Sequence, residues 1–444
     1  MKVVFIIDDF IIDPLGIGYL SSYLKAGGHE VDLLKTNDSE FSQIINDPPD
    51  MLCYSVTTGN HKRYAELNAL TRKYLNGRCV SVFGGPHVTF FPEFCQQPYI
   101  DFGVRGEGFD AIMDLADAIE TRLDPERIPN VVSGRRANML RPLKNKATLL
   151  MPDRKLIYKY DNNYTNRIKN VMCSFGCPGN CPYCYSEKYK EMYCQQTAEI
   201  RPVDSIIEEI QYLTEYPLEL IFFQDDIFPI YKRDWLDEFV FQYRRIGLPF
   251  HIQVRAELIK RDAIKQLKEV GLHGVTFAIE SGNSDLRYNV LNRRMKDDVI
   301  IGAAWTLQEF GIKLRTENMI GIPGETWETA METVRLNAEC NPTIAWASLF
   351  QPYPGTELGD KCLADGTFDG QLDDISGSFF DTYRLKVKNA KKYERLQKLF
   401  SFFVKHKRFR FFAKLLCSLP FKYKRFYGCY KKRLYGELYS LRGS

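Results

Sequence analysis

The chain has 444 residues, 45% hydrophobic and 26% charged, the balance of a folded protein and not of a disordered one. No apolar run approaches the roughly 20 residues that span a bilayer. The first apolar stretch, Val3–Ile7, meets acidic residues at once, unlike a secretory signal, so a cytoplasmic protein is expected. The net charge of +4 is unevenly spread: residues 381–444 hold 19 Lys/Arg and 3 Asp/Glu, which is +16, so all that precedes them sums to −12.

Residues 1–125 alternate strand and helix patterns. Val3–Ile7 is continuously apolar, as a buried parallel strand must be. A helix through Leu20, Leu24 and Ala26 follows and stops at Gly27-Gly28. Further strands are predicted at Val31–Leu34, Met51–Val56, Val80–Phe83 and Phe102–Val104, with helices over His61–Leu75 and Phe109–Glu120. The alternation predicts an α/β fold, a doubly wound, Rossmann-like domain that takes ligands beyond the carboxyl ends of its strands. At those ends stand Asp13–Gly16, Ser55–Thr58, Gly84–Thr89 and Arg105–Gly108.

Residues 126–165, Pro-, Asn- and basic-rich without periodicity, read as a linker wrapping onto the next domain. Over 166–365 the alternation resumes, with strands at Ile168–Met172, Leu220–Phe223, His251–Val254, Gly274–Ile279, Lys313–Met319 and Ala345–Phe350. Helices between them carry periodic apolar positions such as Ile206, Ile210 and Leu213. Six units suit a partial (β/α)6 barrel better than a second flat sheet. Residues 366–444 read as a basic helical C-terminal extension.

Twelve cysteines in such a chain are thiols and not a disulfide framework. Four of them crowd together at Cys173, Cys177, Cys181 and Cys184. A cubane iron–sulfur cluster is usually held by four thiolates. The spacing Cys177-x3-Cys181-x2-Cys184 supplies three from one loop and leaves one iron open, and Pro178, Gly179 and Pro182 let that loop curl. Structural zinc favours two short cysteine pairs separated by a longer insert. Cys173 falls outside the full spacing and reads as a strand-end core residue.

This motif, with Tyr183 before its last cysteine, resembles that of the radical S-adenosylmethionine (SAM) superfamily. The resemblance implies a [4Fe–4S] cluster on Cys177, Cys181 and Cys184, with SAM chelating the open iron and yielding a 5′-deoxyadenosyl radical. Segments downstream match the family in order. Gln224-Asp225-Asp226 stands where the family has Gly-Gly-Glu, a departure that leaves the SAM amino contact open. Glu280-Ser281-Gly282 stands at the ribose or carboxylate contacts, and Ile320–Gly324, centred on Ile322, at the segment packed on adenine. Pro354-Gly355-Thr356 follows the last strand as in many relatives, and Arg255 suits a bidentate grip on the SAM carboxylate.

The front domain joined to this barrel resembles the cobalamin-binding radical SAM class, whose methylases carry a methyl group on cobalamin to a substrate radical. The resemblance covers about residues 1–365 and implies cobalamin contacts at Leu15, Gly16, Ser55, Thr57, Gly84, Gly85, His87 and Glu107. The Asp-x-His-x-x-Gly motif of classical cobalamin enzymes is absent, as it commonly is in this class. His87 reads either as a loop residue near the corrin or as a satisfied surface residue, and not as the cobalt ligand. Gly16-Ile-Gly18 lacks the third glycine and the position of a dinucleotide fingerprint, and there is no Walker loop.

The tail segments Lys405–Lys414 and Phe421–Arg433 interleave cations with aromatics. Three readings stand: a helical cap on the barrel, contact with an anionic membrane that makes the protein peripheral to it, and nucleic-acid binding, the last without an RNA-binding signature and not expected. The expected function is cobalamin-dependent radical methylation of an unactivated carbon of a metabolite or lipid, with a flavodoxin- or ferredoxin-type electron donor. The alternatives are a radical SAM oxidoreductase, cyclase or rearrangement enzyme and, from another class, a non-catalytic corrinoid- or metal-binding sensor. Asp226, Glu317, Gln351 and Tyr353 are candidates for the substrate pocket. Anaerobically purified protein is expected to carry iron and sulfide and to lose both when Cys177, Cys181 and Cys184 become alanine. Zinc in their place, or iron retained by the triple variant, refutes the assignment.

Overall fold

Five apolar runs in the first 105 residues pair side by side in a computed structural model that describes residues 1–37, 42–134, 136–194, 198–378, 380, 382–387, 390–419 and 423–441. The chain divides into two units, one mainly residues 1–170 and the other mainly 171–444. In the first, β1 (Lys2–Ile7), β2 (Glu30–Lys35), β3 (Met51–Ser55), β4 (Val80–Gly84) and β5 (Phe102–Val104) form a parallel sheet in the order β2-β1-β3-β4-β5. Both faces are covered, which is why the strands are apolar throughout. Val3, Phe5, Met51 and Cys53 pack with Ile17, Leu24, Ile112 and Leu115 from the helices Leu15–Ala26 and Phe109–Thr121. Val4, Ile6, Leu52 and Tyr54 pack with Tyr64 and Ala65 of the helix His61–Tyr74 on the other side. The strand order reverses between β1 and β3, and such a switch point opens a crevice at the carboxyl edge.

The stretch read as a linker completes this unit instead. β6 (Val131–Ser133) and β7 (Arg136–Ala137) extend the sheet antiparallel beyond β5. Strands of three and two residues are too short to show any period in the sequence. Gly18 lets the segment after them close in, since a Cβ there would lie 2.8 Å from Ile157 Cδ1. Asp153 accepts from the Leu156 N–H at the start of the short helix Arg154–Ile157 and pairs with Lys25 at 2.5 Å. Arg154 is fully buried: its guanidinium donates to Asp13 Oδ2 (3.2 Å), to the Asn170 carbonyl (2.6 Å) and to Glu209. Asp13, from the strand-end set, is therefore a structural counter-ion that also accepts from Tyr158 Oη and the Asn170 N–H.

The second sheet has β8 (Ile168–Val171) at its edge, where the chain passes from one unit to the other, followed by a short ladder of β9 (Ser174–Phe175) with β10 (Glu199–Ile200) at the base of the cysteine loop. β11 (Leu220–Phe223), β12 (Phe250–Val254), β13 (Leu272–Glu280), β14 (Lys313–Ile320) and β15 (Ile344–Leu349) are parallel neighbours in sequence order, with β8 beside β11. Helices Arg233–Tyr243, Arg261–Glu269, Asp297–Glu309 and Trp327–Cys340 connect them. Sequential parallel strands with helical crossovers make the partial (β/α)6 barrel that the spacing predicts.

The first half of the tail is a cap. Leu396, Leu399, Phe400 and Phe403 of the helix Ala390–Lys405 pack with Ala345, Ala347 and Leu349, and Gln397 donates to the Ala347 carbonyl at 2.8 Å. The helix Tyr423–Tyr439 reaches the barrel strands, with the Tyr439 ring 6.1 Å from that of His251. Lys313 Nζ donates to the Glu437 and Ser440 carbonyls, a cation at a helix C-terminus. Phe421 and Lys422 of the aromatic–basic pattern lie outside the described residues. Among those described, no helix is long and apolar enough to cross a membrane. Replacing Arg154 by alanine strands two buried carboxylates and is expected to destabilise the first unit by about 3–5 kcal/mol. Urea unfolding followed by circular dichroism checks it.

Candidate functional site

The cysteine loop leaves β8 and is held at its base by a carboxylate from the next strand. Asp225 lies just past β11, fully buried, and its Oδ1 accepts from the Cys173 N–H (3.0 Å), the Ser174 N–H (2.5 Å) and the Ser174 hydroxyl (2.6 Å). Burial pushes its carboxyl up to about 7, against those three bonds. Cys173 is a buried core residue, as expected. Beyond it the loop is fixed by its own backbone: the Cys184 N–H donates to the Cys181 carbonyl, Lys190 Nζ to the Gly179 carbonyl at 2.8 Å, and Asn292 to the Asn180 carbonyl at 2.9 Å.

Cys177, Cys181 and Cys184 are half-buried free thiols. N–H groups point at the sulfurs, from Gly179 to Cys177 (3.4 Å) and from Ser186 to Cys184 (3.5 Å). Burial nevertheless pushes the Cys177 thiol up to about 11 and raises that of Cys184, so cations bound there must displace protons. Cys177 and Cys181 open onto a cavity of about 100 Å³ whose wall includes Asp226, Arg255, Arg293 and Glu317. A Cβ on Gly179 would press within 3.2 Å of Arg255 Nη1 and 3.4 Å of Cys177 Sγ, so this glycine keeps the guanidinium close to the loop.

Glu280 ends β13 at φ +65, where the register with β14 shifts. A non-glycine residue in that region is strained, and here the turn directs its carboxylate to the Tyr183 hydroxyl, which donates at 3.0 Å. Burial raises the Glu280 carboxyl and Arg293 opposes the rise. Arg293, which sequence reasoning missed because it sits in an aperiodic loop, is braced on the Ala278 carbonyl at 2.8 Å. Arg255 uses Nε on Glu257 at 2.5 Å.

The structure thus gathers Cys177, Cys181, Asp226, Arg255 and Glu317 around one cavity and sets Tyr183 against Glu280. Asp225 turns inward to the loop base, and the half-buried Gln224 pairs its backbone N–H with the Val171 carbonyl. Ser281 is buried, its hydroxyl accepting from the Asn283 N–H, and Ile322 packs in the core with Ile320 and Leu291. Gln351 donates to the Thr382 carbonyl and Tyr353 lies against Tyr185.

In the first unit, Ile11 and Ile12 after β1 are 84% and 60% exposed. With Ser55 at the end of β3 and Thr57 past it they stand at the carboxyl edge by the switch point, and a Cβ on Gly16 would meet nothing within 4 Å. Gly85 has φ +90, and a Cβ there would lie 2.8 Å from the Val56 backbone, so β3 and β4 come close only because it is glycine. Two of the expected positions are engaged within the unit. His87 is neither a surface residue nor an open loop residue: it is buried, stacked on His61 at 3.8 Å with Thr58 Oγ1 3.0 Å from its Nδ1. Glu107 commits both carboxylate oxygens to residues 144–146, through the Lys144 N–H and Lys146 Nζ. Leu15 is buried, and a Cβ on Gly84 would lie 3.5 Å from the Val104 carbonyl oxygen.

Comparison with known proteins agrees with this division. The radical SAM superfamily profile matches residues 171–336, and the B12 binding domain profile residues 1–116. An uncharacterized methyltransferase of Pyrococcus horikoshii is 28% identical over 370 residues, 79% of each chain. The anaerobic magnesium-protoporphyrin IX monomethyl ester cyclase of Rubrivivax gelatinosus is 28% identical over 380 residues, 78% of this chain and 66% of that one. In fold, the chain is similar to the radical SAM methyltransferase TsrM of Kitasatospora setae, solved with cobalamin and a [4Fe–4S] cluster, at TM-score 0.69 and 17% identity over 82% of this chain and 78% of that one. The chain belongs to the radical SAM enzymes that carry a B12-binding domain. That membership implies a [4Fe–4S] cluster, SAM and cobalamin as cofactors. Asp225→Ala leaves two buried N–H groups unpaired, at about 1–3 kcal/mol each. It is expected to lower reconstituted iron and the cluster's visible absorbance, with Asp225→Asn retaining more of both.

Proposed function

We propose that this protein transfers a methyl group to an unactivated carbon of a small metabolite or lipid, in a cobalamin-dependent radical SAM reaction. The observation that carries the reading is the pairing, in one chain, of a three-thiol loop opening onto a charged cavity with an α/β unit whose switch point exposes Ile11 and Ile12. The thiols fit a cluster: they are free, share one short loop, and have N–H groups aimed at sulfur. The crevice fits a corrinoid, since Gly16 leaves open space and Ile11 and Ile12 offer apolar surface to a flat macrocycle.

When bound, the cluster and SAM supply a hydrogen-abstracting radical and the corrinoid supplies the transferable methyl group. The chain's residues do the holding. Cys177, Cys181 and Cys184 would ligate the cluster, and N–H donors at Cys177 and Cys184 would stabilise their thiolates. Arg255 and Arg293 give the cavity cationic groups for the SAM carboxylate. Tyr183, held by Glu280, offers a fixed aromatic face beside the last cysteine. In the first unit Gly16, Ser55 and Thr57 would border the corrin, and in the second Asp226 and Glu317 would meet polar groups of the substrate. A flavodoxin- or ferredoxin-type protein would supply electrons.

The methyltransferase relatives support this reading; the cyclase relative supports the rival, oxidative cyclisation on the same scaffold. Label separates them. Reconstituted enzyme given methyl-labelled SAM and reductant is expected to place label in the corrinoid fraction and to form 5′-deoxyadenosine and S-adenosylhomocysteine. Formation of 5′-deoxyadenosine with no cobalt bound and no label transferred overturns methyl transfer and leaves the cyclase-type reading.

A further inference from the structure

From residue 395 to residue 436 the sequence has 13 Lys/Arg and no Asp/Glu. Part of this stretch is structural. Arg410 turns back on the helix Ala390–Lys405, donating from Nε to the Phe403 carbonyl at 2.7 Å and from Nη2 to the Val404 carbonyl at 2.8 Å, and so satisfies acceptors of its last turn. Ala413 and Cys417 are buried anchors, the Cys417 carbonyl accepting from Arg395 at 3.0 Å, and Tyr423 donates to the Leu419 carbonyl at 2.6 Å.

With those positions tied inward, their neighbours face out. Phe409, Phe411, Phe412, Leu415 and Leu419 are all exposed, Phe411 at 92%, within eleven residues. Large apolar side chains gathered this densely on a surface mark an interaction site. Lys407, Arg408 and Lys414 are exposed among them, and the carboxylate nearest Lys414 is that of exposed Glu328, 3.9 Å away. An interleaving of aromatics, leucines and solvent-facing cations complements an anionic lipid surface: the cations meet headgroup phosphates while the rings and leucines enter the interfacial layer. A nucleic-acid backbone would use the cations and rings but has no use for Leu415 and Leu419.

We propose that residues 407–419 dock this protein on the surface of an anionic bilayer, with Phe411, Phe412 and Leu415 inserted and Lys407, Arg408 and Lys414 on the headgroups. The proposal is independent of the methyl-transfer reading, and each can fail without the other.

The test is co-sedimentation of the full chain with vesicles of phosphatidylcholine alone or mixed with phosphatidylglycerol. The protein is expected to bind the anionic vesicles, weakly or not at all the neutral ones, and less as salt rises. Phe411→Ser/Phe412→Ser/Leu415→Ser and Lys407→Glu/Arg408→Glu/Lys414→Glu are each expected to weaken binding at least roughly tenfold. Phe411→Trp, which keeps a large ring at the same place, is expected to bind as before and to show blue-shifted emission with anionic vesicles only. No binding to anionic vesicles overturns the proposal. So does an unshifted Phe411→Trp emission, or binding that survives the apolar triple variant, since adsorption is then electrostatic alone. Self-association lost in the apolar variant without vesicle binding assigns the patch to a second copy of the chain, and tighter, apolar-independent binding to RNA assigns it to nucleic acid; both also overturn it.

Discussion

Three thiols can share a cluster only if the loop that carries them is held still by something other than the thiols. In this protein that task falls to Asp225. A carboxylate buried without partners would be costly; this one accepts three bonds from the base of the loop and ties the end of β11 to the chain leaving β8. Past Ser174 other bonds take over: Lys190 and Asn292 hold the Gly179 and Asn180 carbonyls, and Glu280 accepts from the Tyr183 hydroxyl. The high affinity of the Cys177 thiol for protons makes cation binding there depend on pH.

The two candidate cofactor regions offer different surfaces. Around the cysteines the cavity wall alternates acid and base, with Arg255 and Arg293 against Asp226 and Glu317, the setting for a zwitterionic amino acid moiety. At the switch point of the first sheet, exposed isoleucines and an open backbone at Gly16 offer surface to a broad, flat ligand. The charged residues near that edge are paired: Asp8 with Arg63, Asp9 with Lys35, Asp13 with Arg154 and Glu107 with Lys146. The buried pairs hold the fold, and Asp8 and Asp9 keep paired charge at the rim of the crevice.

The tail shows the same division on a smaller scale. One face of the helix Ala390–Lys405 is continuous with the barrel core, and the segment after it is pinned by Arg410, Ala413 and Cys417. Phe409 rests on Phe402, but Phe411 and Phe412 between the fixed positions stay exposed, and an amphipathic pattern that reads as one element splits into a cap and an exposed patch.

The strands and both sheets were legible because a parallel strand covered on two faces must be apolar along its length, and helices between such runs leave few topologies. The cluster ligands were legible because their chemistry demands a short spacing. Other features depend on distance in space and have no trace in local pattern. The pairing of β6 with β5, of Arg154 with Asp13 and Glu209, the stacking of His87 on His61 and the arrival of Arg293 at the cavity all join residues far apart in the chain. The amino-acid sequence alone determined the fold class, the order of the units and the three thiols; tertiary structure decided which charged side chains are spent on holding the fold and which remain at the site, because burial and partner geometry exist only once the chain has folded.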